Sequence, residues 1–453
     1  MMLLSFTVRN HKSLRDEVTL DLVRPSLTTL QPKAGEWASA LYPLAGVFGA
    51  NATGKSAILN ALHYTFTAVR DSATRWQGAR GMVREPFKLD GTHEDASSTY
   101  TLDFVHQGRR HEYEFEVDRH GIKREVLRDV PTSRWRTLVE RDRERAGQRI
   151  KLHSSVRALG EVTARELLLS RAHLLKHPQL GPIARDLIDG FDIVLVKDSH
   201  RAKRLAELTE SLSEGVVQFE DLQALLQIAD IGVTDVAIQE EKVPADVMRA
   251  ILARYRLANA TSEDETRDVE AAEAELDDDD LEAVARHLIF THRGKASNVP
   301  AFSIEDESDG TIAWLSIAVP ALEVLRRGGL LAVDEIDASL HPHLLDLLLG
   351  AFADPEVNTK GAQLVFTSHE SYVLSPMSET ELAPEQVWFT DKTRDGVTEL
   401  TCLADFPRHP DANVAKRYLA GRYGGTPRLS PALLSALVDA GPFVNREGEN
   451  AAG

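Results

Sequence analysis

Two stretches of this sequence carry residue types at spacings that fit phosphate chemistry. Gly49, Ala50, Asn51, Ala52, Thr53, Gly54, Lys55 and Ser56 follow the pattern G-x-x-x-x-G-K-[ST]. Glycines at both ends let the backbone curl until its N–H groups point at phosphate oxygens. A helix starting at the loop adds its positive end. In such a loop Lys55 is the point charge for the β- and γ-phosphates, and the Ser56 hydroxyl is a ligand for Mg2+. Alone, the loop calls for ATP or GTP. The second stretch is the apolar run Leu330, Leu331, Ala332, Val333, which ends in two acids, Asp334 and Glu335. A metal-phosphate site needs one carboxylate to fix the metal and another group to position the attacking water. Asp334 is expected to hold the hydrated Mg2+ and Glu335 to polarise the water. Thr367, Ser368 and His369 close a further apolar run. A histidine there can contact the γ-phosphate and register its loss. Lys55, Glu335 and His369 are therefore the candidate catalytic residues, and Ser56 and Asp334 the candidate metal ligands.

These residues need elements to hold them. Leu44 to Phe48 is a short apolar run ending at glycine and is expected to be a buried strand feeding the loop. Ala57 to Leu62 has helical spacing after it. Leu330 to Val333 and Gln363 to Thr367 are strand-like, with a helix expected over His343 to Phe352. That order predicts a parallel sheet with right-handed crossovers. Residues 2–9 and Val18 to Leu22 are further strands. Tyr100 to Val105 and His111 to Val117 alternate with period two around Gln107 and Gly108, as in an antiparallel meander. From Val156 to Arg293 the spacing turns helical, at Leu167 to Leu169, Leu222 to Leu226 and Val247 to Leu257, so an all-helical insertion is expected. The division that follows is 1–155 and 294–400 for the two halves of an ATPase domain, 156–293 for the insertion and 401–453 for a C-terminal tail that frays from Asn445.

In order, the phosphate loop, a long insertion, Ser308, Asp309, Gly310 and Thr311, then Asp334, Glu335, Asp337 and His369 resemble ABC-type ATPases of the SMC, RecF and OLD group. The resemblance implies an α/β fold: an ABC-type P-loop NTPase with a mixed, largely parallel core sheet, an antiparallel meander and an inserted segment. It also implies that Ser308 to Thr311, at the head of a helix over Ile312 to Leu325, bind the γ-phosphate held by the opposite subunit, with Asp337 beside them. Asp309 stands where a glycine is common. The same four residues also suit a plain helix N-cap. Phe6 to Ser13 resemble the start of that group, which makes Asn10, Lys12 and Ser13 candidate nucleotide contacts or an ordinary surface loop. Gln77 and Pro86 to Lys88 lie where the group carries its Q-loop.

A narrower resemblance takes in Glu307 to Thr311, Asp334 to Pro342, Gln363 to His369, Val387 to Phe389 and Tyr418 to Gly424. These are similar to stand-alone ATPases of bacterial anti-phage operons, such as abortive-infection type L and PARIS systems. That implies a sensor that works with a separate effector, often a TOPRIM-type or RloB-like protein. Tyr418 to Gly424 is either a docking element or a packed C-terminal turn.

Composition limits the alternatives. The 453 residues carry a formal charge of −18, so a protein that coats DNA non-specifically is not expected. Much of that net charge lies between Glu263 and Asp280, either a solvated run or a docking surface for a basic partner. Arg109 and Arg110, Arg141 to Arg149, and Arg201 to Arg204 are basic clusters with acids among them, which read as solvated helix faces. They leave a RecF-like repair ATPase that binds DNA as the alternative. No apolar run is long enough for a bilayer, and the single cysteine, Cys402, suits a reducing cytoplasm. Too few residues follow His369 for an OLD-type nuclease domain, and the inserted segment argues against an importer subunit. The expected partner is a second copy of the chain, joined head to tail around ATP.

Overall fold

The computed structural model describes residues 1–145, 149–195, 208–209, 212–213, 215, 217–229, 232–243, 283–294, 301–303, 306–407 and 413–426. The chain opens with β1 (Met2–Arg9), β2 (Val18–Asp21), a short helix α1 (Trp37–Ala40), β3 (Leu44–Phe48) and α2 (Lys55–Asp71). A meander follows: β4 (Ser98–His106), β5 (Arg109–Asp118), β6 (Gly121–Asp129), β7 (Arg136–Asp142) and β8 (Ile150–Leu152). Next come α3 (Leu168–Leu174), α4 (Gly181–Asp189), β9 (Phe191–Val194), α5 (Phe219–Ile228), β10 (Val233–Val243), β11 (Ala283–His292) and β12 (Phe302–Ser303). The last part holds α6 (Asp309–Arg327), β13 (Leu330–Val333), α7 (Pro342–Ala353), β14 (Gln363–Ser368), β15 (Val387–Lys392), β16 (Thr398–Cys402) and α8 (Val414–Leu419).

The central sheet has the order β16-β15-β3-β14-β13-β9. Its four pairings from β15 to β9 are parallel, and β16 closes one edge antiparallel to β15. Every residue of β3, β13 and β14 is buried, as parallel strands covered on both faces must be. One face, through Ala45, Val47, Ala332 and Val365, packs on α2, which is itself covered by the antiparallel sheet β2-β1-β4-β5-β6-β7-β8. The other face, through Phe48, Leu331, Val333 and Phe366, packs on α6 and α7. Within the antiparallel sheet, β5 shows why a meander forms. Tyr113, Phe115 and Val117 point inward, while Glu112, Glu114 and Glu116 pair outward with Arg128, Arg124 and Lys123 of β6. The turn between β4 and β5 has both Gln107 and Gly108 at positive φ, 49° and 73°, the requirement of a type I′ hairpin. Gln363 at the start of β14 accepts from Leu3 N–H at 2.6 Å and donates to Leu3 O at 2.8 Å. It thereby satisfies a β1 residue at a bulge and ties the two large sheets together.

Two expectations change. Segment 156–293 is not all-helical: β9 is the outer strand of the central sheet, and β10 and β11 form a long antiparallel pair with β12 beside it. β9 has four residues, too few to display a period. In β10 a bulge between Val233 and Asp235 leaves Val233 and Val236 both buried at a spacing of three, which imitates a helix. The described basic clusters are not helix faces either. Arg109, Arg110 and Arg141 lie on strands of the meander, with Arg143 and Arg145 just beyond. Val247 to Leu257, the acidic run from Glu263 to Asp280, Arg201 to Arg204 and the tail from Asn445 lie outside the described residues. Among the described residues no helix is long and apolar enough to cross a membrane.

Candidate active site

The loop from Gly49 to Ser56 joins β3 to α2, as its spacing demands. Gly54, at φ 112°, ends the loop, and no side chain caps the first turn of α2. The N–H groups there are left for an anion. Ala52 also takes positive φ, 66°. Why the two glycines are needed becomes clear from their neighbours. A Cβ on Gly49 would lie 2.4 Å from Thr390 Oγ1, and one on Gly54 would lie 2.0 Å from Thr398 Oγ1. Both threonines stand on β15 and β16. Thr53 Oγ1 pairs with Thr390 Oγ1 at 2.7 Å and donates to Ala50 O at 2.8 Å. Thr398 Oγ1 lies 2.8 Å from Thr53 O and 2.8 Å from Ser13 Oγ. The Thr398 hydroxyl is thus the donor shared between the loop carbonyl of Thr53 and the Ser13 hydroxyl. Neither threonine is legible as a site residue in sequence, because their nearness depends on the strand order β16-β15-β3.

Lys55 is 5 % exposed, and its Nζ donates to Gly49 O at 2.7 Å and Ala50 O at 3.1 Å. Burial lowers its pKa, opposed by Glu335, Asp334 and Asp337. A cation turned back on its own loop's carbonyls, with three acids in electrostatic reach, forms no ion pair among the described residues. That is the donor set a triphosphate fits.

Ser56 Oγ donates to Asp334 Oδ1 at 3.1 Å, and Thr367 Oγ1 donates to the same oxygen at 2.7 Å. Thr367 Oγ1 also accepts the Glu335 N–H at 2.7 Å. One hydroxyl of β14 thus orients the carboxylate and the peptide of the two acids that end β13. Glu335 adopts φ 49°, a left-handed conformation that costs a non-glycine residue on the order of 1 kcal/mol and persists only when its surroundings hold it. Ser56 Oγ and the Asp334 carboxylate, converging at the loop, are hard oxygen donors of the kind Mg2+ takes while keeping several waters. His369 Nδ1 is 3.1 Å from Asp337 Oδ2, and its Nε2 is 3.7 Å from Glu370 Oε1. The Asp337 side chain is 6 % exposed, and apart from this His369 contact its carboxylate oxygens receive no hydrogen bond among the described residues.

Ser308 caps α6: its Oγ accepts the Thr311 N–H at 3.1 Å and pairs with Thr311 Oγ1 at 2.9 Å. Ser308 and Asp309 are exposed, and Gly310 lies against Ser339 O. The small third sheet and α5 brace this helix and the residues that lead into it. His292 of β11 meets Glu307 at 2.6 Å, Trp314 Nε1 donates to Leu225 O at 2.8 Å, and Arg326 forms a double hydrogen bond with Asp221 of α5.

The N-terminal candidates divide. Asn10 is 1 % exposed and its amide is fully used, donating to His93 O, Ala96 O and Ser97 O and accepting from Phe87 N–H. Lys12 pairs with Glu85 at 3.2 Å. Only Ser13 reaches the phosphate loop, through Thr398. Gln77 lies beyond the far end of α2, held by Ser72 O and Thr163 Oγ1, and α2 puts roughly 25 Å between that end and Lys55.

The meander arginines are already paired, Arg109 with Asp129 at 3.1 Å, Arg110 with Asp103 at 2.5 Å, Arg145 with Glu140 at 2.6 Å, and Arg143 with Asp118. Arg141 donates to Glu166 O and Thr163 O beside the buried Glu125.

A family model described as "AAA domain, putative AbiEii toxin, Type IV TA system" matches residues 44–375. The comparison with curated proteins finds no match. Among solved structures, the chain is similar to an SMC head bound to the C-winged helix domain of ScpA, at 13% identity over 89% of this chain and 97% of that one, with a TM-score of 0.43. It is also similar to the SMC head domain from Thermotoga maritima, at 11% identity over 89% and 99%, with a TM-score of 0.39.

Proposed function

Because the chain belongs to the AAA-domain family whose model spans residues 44–375, we propose that it is an ATPase switch that assembles with itself around Mg2+–ATP and thereby controls a separate effector. The observation that carries the reading is the connected array of Ser56, Asp334, Thr367 and Glu335, in which metal ligand, metal holder and water-positioning acid share hydrogen bonds. ATP with Mg2+ would supply the phosphoryl group and the charge that neutralises it. Lys55 would leave the carbonyls of Gly49 and Ala50 for the phosphates. Ser56 and Asp334 would hold the metal, and Glu335 would orient a water and take its proton. The head of α6, Ser308 to Thr311, with Ser308 and Asp309 exposed, would complete the site of a second copy, with Asp337 and His369 at the join. Hydrolysis would then loosen the pair.

An effector of TOPRIM or RloB-like type in a cytoplasmic anti-phage system is the assignment we favour. It rests on the family match together with the motifs from Glu307 to Thr311 and from Asp334 to Pro342. The RecF-like alternative has less support, because the described basic clusters are neutralised by neighbouring acids. The test is Glu335→Gln: it should retain ATP, lose turnover by about 100-fold or more, and shift to a larger species on sizing chromatography only with Mg2+–ATP. A mutant that binds ATP yet elutes identically with and without it would sink the assembly reading.

A further inference from the structure

The segment after β16 returns to the phosphate loop. Its helix α8 is capped by Asn413, whose side chain accepts the Lys416 N–H at 2.8 Å. The rings of Tyr418 and Tyr423 both stack on Phe389 of β15, at 5.5 Å and 4.9 Å between centroids. Phe389 pairs in register with Phe48, the last residue before the loop. The Tyr418 phenol, 3 % exposed, lies close to the backbone of Gly49, and burial pushes its pKa up to about 12. Gly425 O accepts the Ala50 N–H at 2.5 Å.

The residue types fit this seating. Gly421, Gly424 and Gly425 all take positive φ, at 72°, 75° and 66°. A Cβ on Gly425 would lie 2.7 Å from Thr390 O and 3.2 Å from Gly49 Cα, and one on Gly424 would lie 2.9 Å from the Asp391 carboxylate. Side chains at either position would lift the segment off the loop.

Gly49 and Ala50 are thus gripped from two directions. The C-terminal segment contacts them through the Tyr418 phenol and the Gly425 carbonyl, while Lys55 Nζ occupies both of their carbonyls. We propose that residues 413–426 are a strap that positions the phosphate loop for nucleotide, with Tyr418 and Gly425 as its positioning residues. When Lys55 moves to the phosphates, Gly49 O loses that donor while Ala50 O keeps the Thr53 hydroxyl, and the strap keeps the first turn of the loop in place. The inference rests on the nucleotide reading of the loop. It adds that the last described residues of the chain, outside the G-x-x-x-x-G-K-[ST] motif, help set its affinity.

The test is ATP binding and turnover by the full-length chain and two variants. Tyr418→Phe keeps the stack on Phe389 and removes only the oxygen. It should raise the Kd and KM for ATP about fivefold, one polar contact's worth, with kcat at saturating ATP and Tm near wild type. Gly425→Ala, forced against Thr390 O, should raise the Kd further. Wild-type affinity in Tyr418→Phe would overturn the strap, as would an unchanged KM with a lowered kcat. Tighter binding would overturn it too, by making the segment a brake. A wild-type chain that binds no ATP would instead overturn the nucleotide reading, before any variant is compared.

Discussion

Ser56 Oγ, at the first turn of α2, lies 3.1 Å from Asp334 Oδ1, at the end of β13. The two come from halves of the chain separated by the whole meander and inserted segment, yet they meet because β3 and β13 flank β14 in one sheet. A shared metal predicts that they act as one unit. Ser56→Ala and Asp334→Asn should each weaken Mg2+-dependent ATP binding by about tenfold or more, and the double variant should lose much less than the product of the two. Calorimetric titration with Mg2+–ATP, and with ATP plus chelator, measures the cycle. Additive losses would place the metal elsewhere.

Thr367 offers a separate handle on turnover. Its hydroxyl donates to Asp334 and accepts from Glu335 N–H. Thr367→Val keeps the shape and strands that N–H at a residue already at φ 49°. The expected result is hydrolysis lowered by roughly 10- to 100-fold, as for loss of an orienting group, with ATP affinity within a few-fold of wild type. Steady-state turnover beside equilibrium binding checks it, and a loss confined to affinity would contradict it.

The glycine of the loop's end predicts an asymmetric rescue. Gly54→Ala puts a Cβ 2.0 Å from Thr398 Oγ1 and holds alanine at φ 112°. Nucleotide binding should be lost. Adding Thr398→Ala relieves the clash but not the backbone conformation, so the double variant should recover binding only in part. Full recovery would mean that sterics alone select glycine here.

How much of this was legible follows from where the information lies. The loop, β13 with its acids, and β14 with His369 are contiguous motifs whose chemistry is carried by local spacing. They stand where the sequence put them, and the head of α6 is capped by Ser308 as an N-cap reading allows. Thr390, Thr398 and Gly425 sit far along the chain and act only through strand order and close approach, which no local pattern encodes. Asn10 has the residue type of a ligand contact, but burial converts it into a clasp for residues 87–97. In β10 a bulge replaced period two by three and made a strand look helical.

The buried histidines predict an acid limit to stability. His11 lies between Tyr100 Oη at 2.9 Å and Asn60 Oδ1 at 2.9 Å, linking the antiparallel sheet to α2. His111 is packed on Phe104 in the same sheet. Burial lowers both pKa values from 6.5 to about 4. In the unfolded chain they protonate near 6.5, so the unfolded state binds more protons as pH falls. Their contribution is therefore complete above about pH 6.5 and is lost progressively toward pH 4, on the order of 3 kcal/mol for each histidine. Thermal melts from pH 7.5 to 4.5 should show a falling Tm across that window. His11→Gln, which cannot protonate, should be less stable at pH 7.5 and should show a shallower fall. Parallel curves for the variant and wild type would rule out His11 as a source of the slope.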